Sequence, residues 1–144
     1  MAKTAVRLDE GYRVQAQSRH HEWVIDEPVS DGGTDEAPSP SETVLGALGA
    51  CVAITMKMYA ARKGWKLERV EIDLESNRLK KEDYPTYTGD SLFVHEIQKR
   101  ITLHGDLDDT QRRRLMEIGK KCPVSRMFTE PSFMDDILLE TQPE

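Results

Sequence analysis

Between Glu42 and Lys57 the chain runs through fourteen uncharged residues, TVLGALGACVAITM, with Cys51 among them. The signals around this run predict a helix. Ser39 is a suitable N-cap, Pro40 fits the first helical position, and Glu42 stands where a capping box needs its acid. Gly64 supplies the stop, which gives a helix of about 24 residues and roughly 36 Å. Val44, Leu48, Cys51, Thr55 and Met58 share one stripe, and Leu45, Val52, Met56 and Tyr59 line another. A helix that is apolar on every side must be buried on every side. Either the rest of one domain encloses it, or a second copy does. Gly46, Ala47, Gly49, Ala50 and Ala53 keep its first half thin enough for another backbone to approach. The uncharged run is shorter than the ~20 residues that a bilayer span needs, so a membrane anchor is not expected.

With 144 residues, 38% hydrophobic and 32% charged, the expectation is one soluble domain spanning 1–144. A net charge of −6 argues against nucleic-acid binding, and the basic clusters at 98–100 and 112–114 read as solvated faces. The N-terminal MAKTAVRLDEGYR is too polar for a secretory signal, so a cytoplasmic location is expected. In that reducing setting, two cysteines this far apart point to a redox-active pair or to inert packing rather than a structural staple.

YRVQAQS and HEWVID alternate with period two and predict antiparallel strands, and the Pro/Gly/Ser-rich 26–41 predicts a loop. Residues 66–79 and 93–105 predict a hairpin. Residues 106–121 predict an amphipathic helix with Leu107, Leu115, Met116 and Ile118 inward, its acids first and its bases last. Pro123 ends that helix and opens a short one, with Cys122 at or beside its N-cap. The apolar run 135–141 predicts an edge strand.

Cys51 and Cys122 are the candidate reactive groups. A lone cysteine in an apolar helix also fits plain core packing. Cys122 has the better local field, since a helix start together with Lys120, Lys121 and Arg126 favours a thiolate. Cys51 would need a cation delivered by the fold. Glu42 is readable as a capping acid and as a site residue at once. His20 and His21, adjacent on one strand, would point to opposite faces. A Cys/Cys/His metal site lacks any short ligand spacing, and neither metal nor cofactor is expected.

Residues 26–75, followed by GDLDDTQRRRLMEIGKKCPVSRMF, resemble the OsmC/Ohr family of thiol-dependent hydroperoxide reductases, in its OsmC-like branch with Pro-x-Glu before the helix and Cys-Pro-Val near the end. The resemblance implies an α+β fold, a swapped homodimer in which antiparallel sheets enclose two long central helices. It implies that Cys51 attacks an organic hydroperoxide and becomes a sulfenic acid, that Cys122 resolves it as a disulfide, and that an external dithiol restores both. The family's glutamate falls near Glu42, one residue from its spacing in the Ohr branch. For the family's thiolate-stabilising arginine the candidates are Arg19, then Arg13, then Arg126. Ser125 stands where many relatives carry histidine. The alternative is a small hydrophobic-ligand-binding or stress protein in which the cysteines only line a cavity.

Overall fold

The computed structural model describes residues 1–139. Three short strands come first: β1 (Ala5–Arg7), β2 (Val14–Ser18) and β3 (His21–Ile25). They form an antiparallel sheet in sequence order, with Ala16 opposite Val6 on one side and Trp23 on the other. β1 has no counterpart in the sequence reading, because three residues are too few to display alternation. His20 lies in the β2–β3 turn rather than on a strand, and its ring stacks on His21 with centroids 4.0 Å apart.

The long helix α1 spans Pro40–Lys63, as its boundary residues predict. Ser39 Oγ accepts from the Glu42 amide, the Glu42 carboxylate accepts from the Ser39 amide, and Gly64 closes the helix in the left-handed conformation. β4 (Arg69–Lys80) and β5 (Phe93–His104) form the predicted hairpin, paired over twelve rungs from Arg69↔His104 to Lys80↔Phe93. α2 (Asp109–Gly119) and α3 (Pro123–Thr129) follow, and single 3-10 turns stand at Val29–Asp31 and Lys81–Asp83. This mixture of helices with antiparallel sheets is the expected α+β class.

The core forms where α1 lies on the hairpin and on α2. Leu48, Val52, Met56 and Ala60 of α1 bury against Leu67, Leu107 and Leu115, with Val70, Ile72, Leu74, Ile101 and Leu103 packed around them. Gly119 lets α2 approach closely, since a Cβ there would stand 2.4 Å from Met56 Cε and 3.1 Å from Val52 Cγ1. Met116, expected inside, is 38% exposed, because Leu115 and Ile118 take the inner side of α2. Arg112 is not simply solvated either: it donates to the carbonyls of Leu103, Gly105 and Leu107 and so fixes the turn from β5 into α2.

α1 is nevertheless only part-covered within one chain. It is long and apolar enough to cross a membrane by length and composition, and 28% of its most apolar window is buried. Ile54 is 59% exposed and Met58 61%. The three-stranded sheet does not supply the missing cover, since its strands pack chiefly on one another. The edge strand expected at 135–141 is not formed over Asp135–Leu139, where Ile137, Leu138 and Leu139 are exposed and no neighbouring strand offers a ladder; positions 140 and 141 lie outside the described residues.

Candidate active site

Two elements bring the cysteines together. Cys51 is the part-buried thiol of α1, on the side that meets α3. Cys122 caps α3 and is fully buried at 0% exposure, because Pro123 turns the chain into a new helix directly beneath α1. Both are free thiols. The Cys122 sulfur accepts from the Ser125 amide at 3.3 Å and lies 3.0 Å from Ser125 Oγ. The two thiols lie close enough for each to affect the other's ionisation, and Thr55 and the Val124 backbone complete the surroundings of Cys51.

These contacts divide the pair. Burial pushes the Cys51 thiol up, and the neighbouring Cys122 adds to that, so Cys51 holds its proton. Burial also works against ionisation of Cys122. It is outweighed there by the Ser125 side chain and amide, by the Cys51 thiol and by the charge of Lys99, which together bring Cys122 below the ordinary thiol range. Two groups this close titrate as a unit, and of the two it is Cys122 whose surroundings favour the anion.

Between the start of α1, the hairpin and α3 opens a groove of about 760 Å³, lined by Leu48 and Ser125 and by neither cysteine. Its walls are largely apolar, from Val44, Leu45 and Leu48 of α1, Ile97 of β5 and Phe128 of α3. Ser125 lines the same groove and so connects it to the Cys122 sulfur. Lys99 also reaches it.

Of the four residues singled out from the sequence, the fold of one chain brings together Cys51 and Cys122 and leaves the other two apart. Glu42 is committed to the capping box, where the Ser39 amide and then the Ser39 hydroxyl hold its carboxyl below the usual range. Nine residues along a helix separate it from Cys51, about 13 Å of rise. Arg19 sits in the β2–β3 turn with φ of 56° and touches neither thiol. The other arginine candidates are engaged elsewhere, Arg13 with Glu36 at 2.6 Å and Arg126 with Glu130 at 2.7 Å. Among the described residues, no three His, Cys, Asp or Glu side chains converge as a metal site requires. The sequence reading passed over Ser125 as a hydrogen-bond partner and set Lys99, within the basic cluster 98–100, on a solvated face, whereas it is part-buried. The signal for Lys99 was a lysine in phase with Ile97, Ile101 and Leu103 on an alternating strand.

A family described as OsmC-like protein matches residues 33–134. Among solved structures, the chain is similar to an OsmC-like protein of Mycoplasma pneumoniae, with 18% identity over 90% of this chain and 88% of that one and a TM-score of 0.72. It is similar to the organic hydroperoxide resistance protein OsmC of Legionella pneumophila, with 15% identity, 90% of each chain covered and a TM-score of 0.65. It is also similar to the organic hydroperoxide resistance protein OhrB of Bacillus subtilis, with 19% identity over 90% of this chain and 91% of that one and a TM-score of 0.61. No curated protein matches it.

Proposed function

The chain belongs to the OsmC-like protein family, and from that premise we propose that it is a cytoplasmic thiol-dependent peroxidase that reduces organic hydroperoxides. The observation that carries this reading is the meeting of Cys51 and Cys122. Two residues distant in sequence are brought together as free thiols that affect one another's ionisation, one of them bonded to Ser125 in the wall of an apolar groove. Two inert core cysteines would have no need of an asymmetric field. The solved relatives named for organic hydroperoxide resistance support the choice of substrate.

The reaction uses the pair as found. The Cys122 thiolate takes the Cys51 proton, and the Cys51 sulfur, the less buried of the two, attacks the outer peroxide oxygen. The O–O bond breaks, Cys51 becomes a sulfenic acid, and the departing alkoxide takes the proton back from Cys122 to leave as the alcohol. The Cys122 thiolate then attacks the Cys51 sulfur and expels hydroxide, which forms the disulfide. An external dithiol reduces that bond and is itself oxidised to a disulfide. Closure needs the two Cα atoms within about 7 Å, which a slight opening of the Cys122 turn serves, because Pro123 contributes no amide there.

The unit is proposed to be one domain acting as a homodimer. The uncovered apolar side of α1 and the unpacked three-stranded sheet support this, since each offers what the other chain lacks. Arg19 and Glu42, apart from the thiols within one chain, are proposed to act on them only across such a dimer.

The test is a thiol count before and after one equivalent of cumene hydroperoxide. Both thiols should disappear and return with dithiol. In Cys122→Ser one peroxide should be consumed per site and a sulfenic acid should become trappable at Cys51; in Cys51→Ser consumption should cease. Full activity in Cys51→Ser would reverse the two roles. Two intact thiols in the wild type would favour a binding protein whose groove holds a small apolar ligand.

A further inference from the structure

β5 turns Ile97, Lys99, Ile101 and Leu103 toward α1, and β4 places Ser76, Leu74, Ile72 and Val70 directly opposite them. Residues opposite one another in an antiparallel pair project from the same face. Lys99 is therefore a cation in the middle of a core-facing apolar row, beside Leu74, whose Cδ1 would be 2.8 Å from a Cβ at Gly49 of α1. It is part-buried, and it lines the groove together with Ser125. Among the described residues it has no carboxylate within ion-pair distance.

An ammonium in such a position gives up hydration, and a hydrophobic side chain there would complete the row at no such cost. A lysine can lay its stem on apolar surface and send its head to water. Here Lys99 lines the groove whose wall includes Ser125, the residue that hydrogen-bonds the Cys122 sulfur. His95 of β5, exposed, lines the same groove, and the other charged or titratable groups nearest Cys122 are protonated, paired or exposed. Cys51 on α1 holds its proton, Arg126 on α3 is paired with Glu130, and Lys120 and Lys121 after α2 are exposed. The field of Lys99 acts on Cys122 in the direction that favours the anion.

We infer that Lys99 is the positioning cation of the thiol pair, held at the groove beside Ser125 to keep the pair's negative charge in place. Its field acts on Cys122, so its part differs from that of the arginine that the resemblance implies for the attacking thiol. The inference deepens the peroxidase reading, and its test uses no peroxide, so each can fail alone.

The test titrates Cys122 by the ultraviolet absorbance of its thiolate in Cys51→Ser, where the hydroxyl keeps a donor near the sulfur. Adding Lys99→Gln should raise the midpoint by about one pH unit, while Lys99→Arg should leave it near its original value. Lys99→Leu, which continues the apolar row, should raise it as Lys99→Gln does and give a chain at least as resistant to urea. An unmoved midpoint in folded Lys99→Gln and Lys99→Leu would overturn the inference. So would a rise of equal size in Lys99→Arg, because the cause would then be packing rather than charge. Cumene hydroperoxide consumption by the same substitutions with Cys51 present reports separately on the proposed reaction.

Discussion

The two antiparallel sheets follow the same alternation rule and meet different surroundings. The β4–β5 hairpin lays its apolar face on α1, and the residues along that face are half-buried rung after rung. The β1–β3 sheet has equally regular register, yet Ala16 is its only buried apolar residue, and Val6 and Trp23 stay open at 68% and 36%. Pairing is thus a local property of a strand, and burial is a property of what comes to lie on it. The part-covered α1 lies between these two cases: Leu48, Val52 and Met56 are closed within the chain, and Ile54 and Met58 are not.

The largest effect expected is from a charge on α1, and its position sharpens the comparison. Leu48→Asp puts an unpaired carboxylate into the closed face and should abolish folding at every protein concentration. Ile54→Asp touches only the open face. If a second copy covers that face, this substitution should make folding strongly concentration-dependent, or prevent it, when followed by sedimentation and circular dichroism together. A variant at Ile54 as stable and as assembled as the wild type would show that solvent is the native neighbour of this face.

A smaller effect is expected where α2 meets α1. Gly119→Ala drives a methyl group against Met56 and Val52, both fully buried, and should cost about 1–3 kcal/mol in urea unfolding. Gly49→Ala makes a similar approach to Leu74, but that contact is the end of a half-buried side chain, and the residue lies mid-helix where alanine gains about 1 kcal/mol over glycine. Its net cost should stay below that of Gly119→Ala. Equal costs would mean that the hairpin grips α1 as tightly as α2 does.

These regions also differ in how far they could be read from the residues alone. α1 was legible to its ends because Ser39, Pro40, Glu42 and Gly64 are local signals that act within one turn of the helix. The hairpin and the Cys122 cap were legible for the same reason. The strand expected at 135–141 failed over Asp135–Leu139 because an apolar run becomes a strand only where another offers it hydrogen bonds. Met116 was misplaced by one helical position. At the site, the contact between Cys51 and Cys122 depends on α3 folding back under α1, which no spacing encodes. Lys99 stayed hidden because a lysine reads as solvent-facing until its neighbours in phase are known to face a core.

The smallest effect is expected in the N-terminal region, where acid should loosen one loop and leave the core intact. Asp26, buried after β3, accepts from the Thr34 hydroxyl and from the amides of Glu27, Thr34 and Glu36, and its own amide donates to Pro38 at 3.1 Å. The Thr34 hydroxyl bond is the main influence; burial opposes it, the three amides assist, and the carboxyl ends below its ordinary value of 3.8. A depressed carboxyl stabilises the fold fully above the unfolded value, and this contribution is lost as pH falls through the folded value. The loop at 26–38 should therefore hold at neutral pH and give way only on acidification below about pH 4. In a heteronuclear titration the amides of Glu27, Thr34 and Glu36 should move together in that window while those of Leu48 to Met56 stay fixed. Asp26→Asn, which removes the charge and one acceptor, should loosen the same three amides already at neutral pH. Simultaneous movement of the α1 amides would show that the N-terminal sheet and the helix form one cooperative unit, and the contrast between them would then be one of cover rather than of stability.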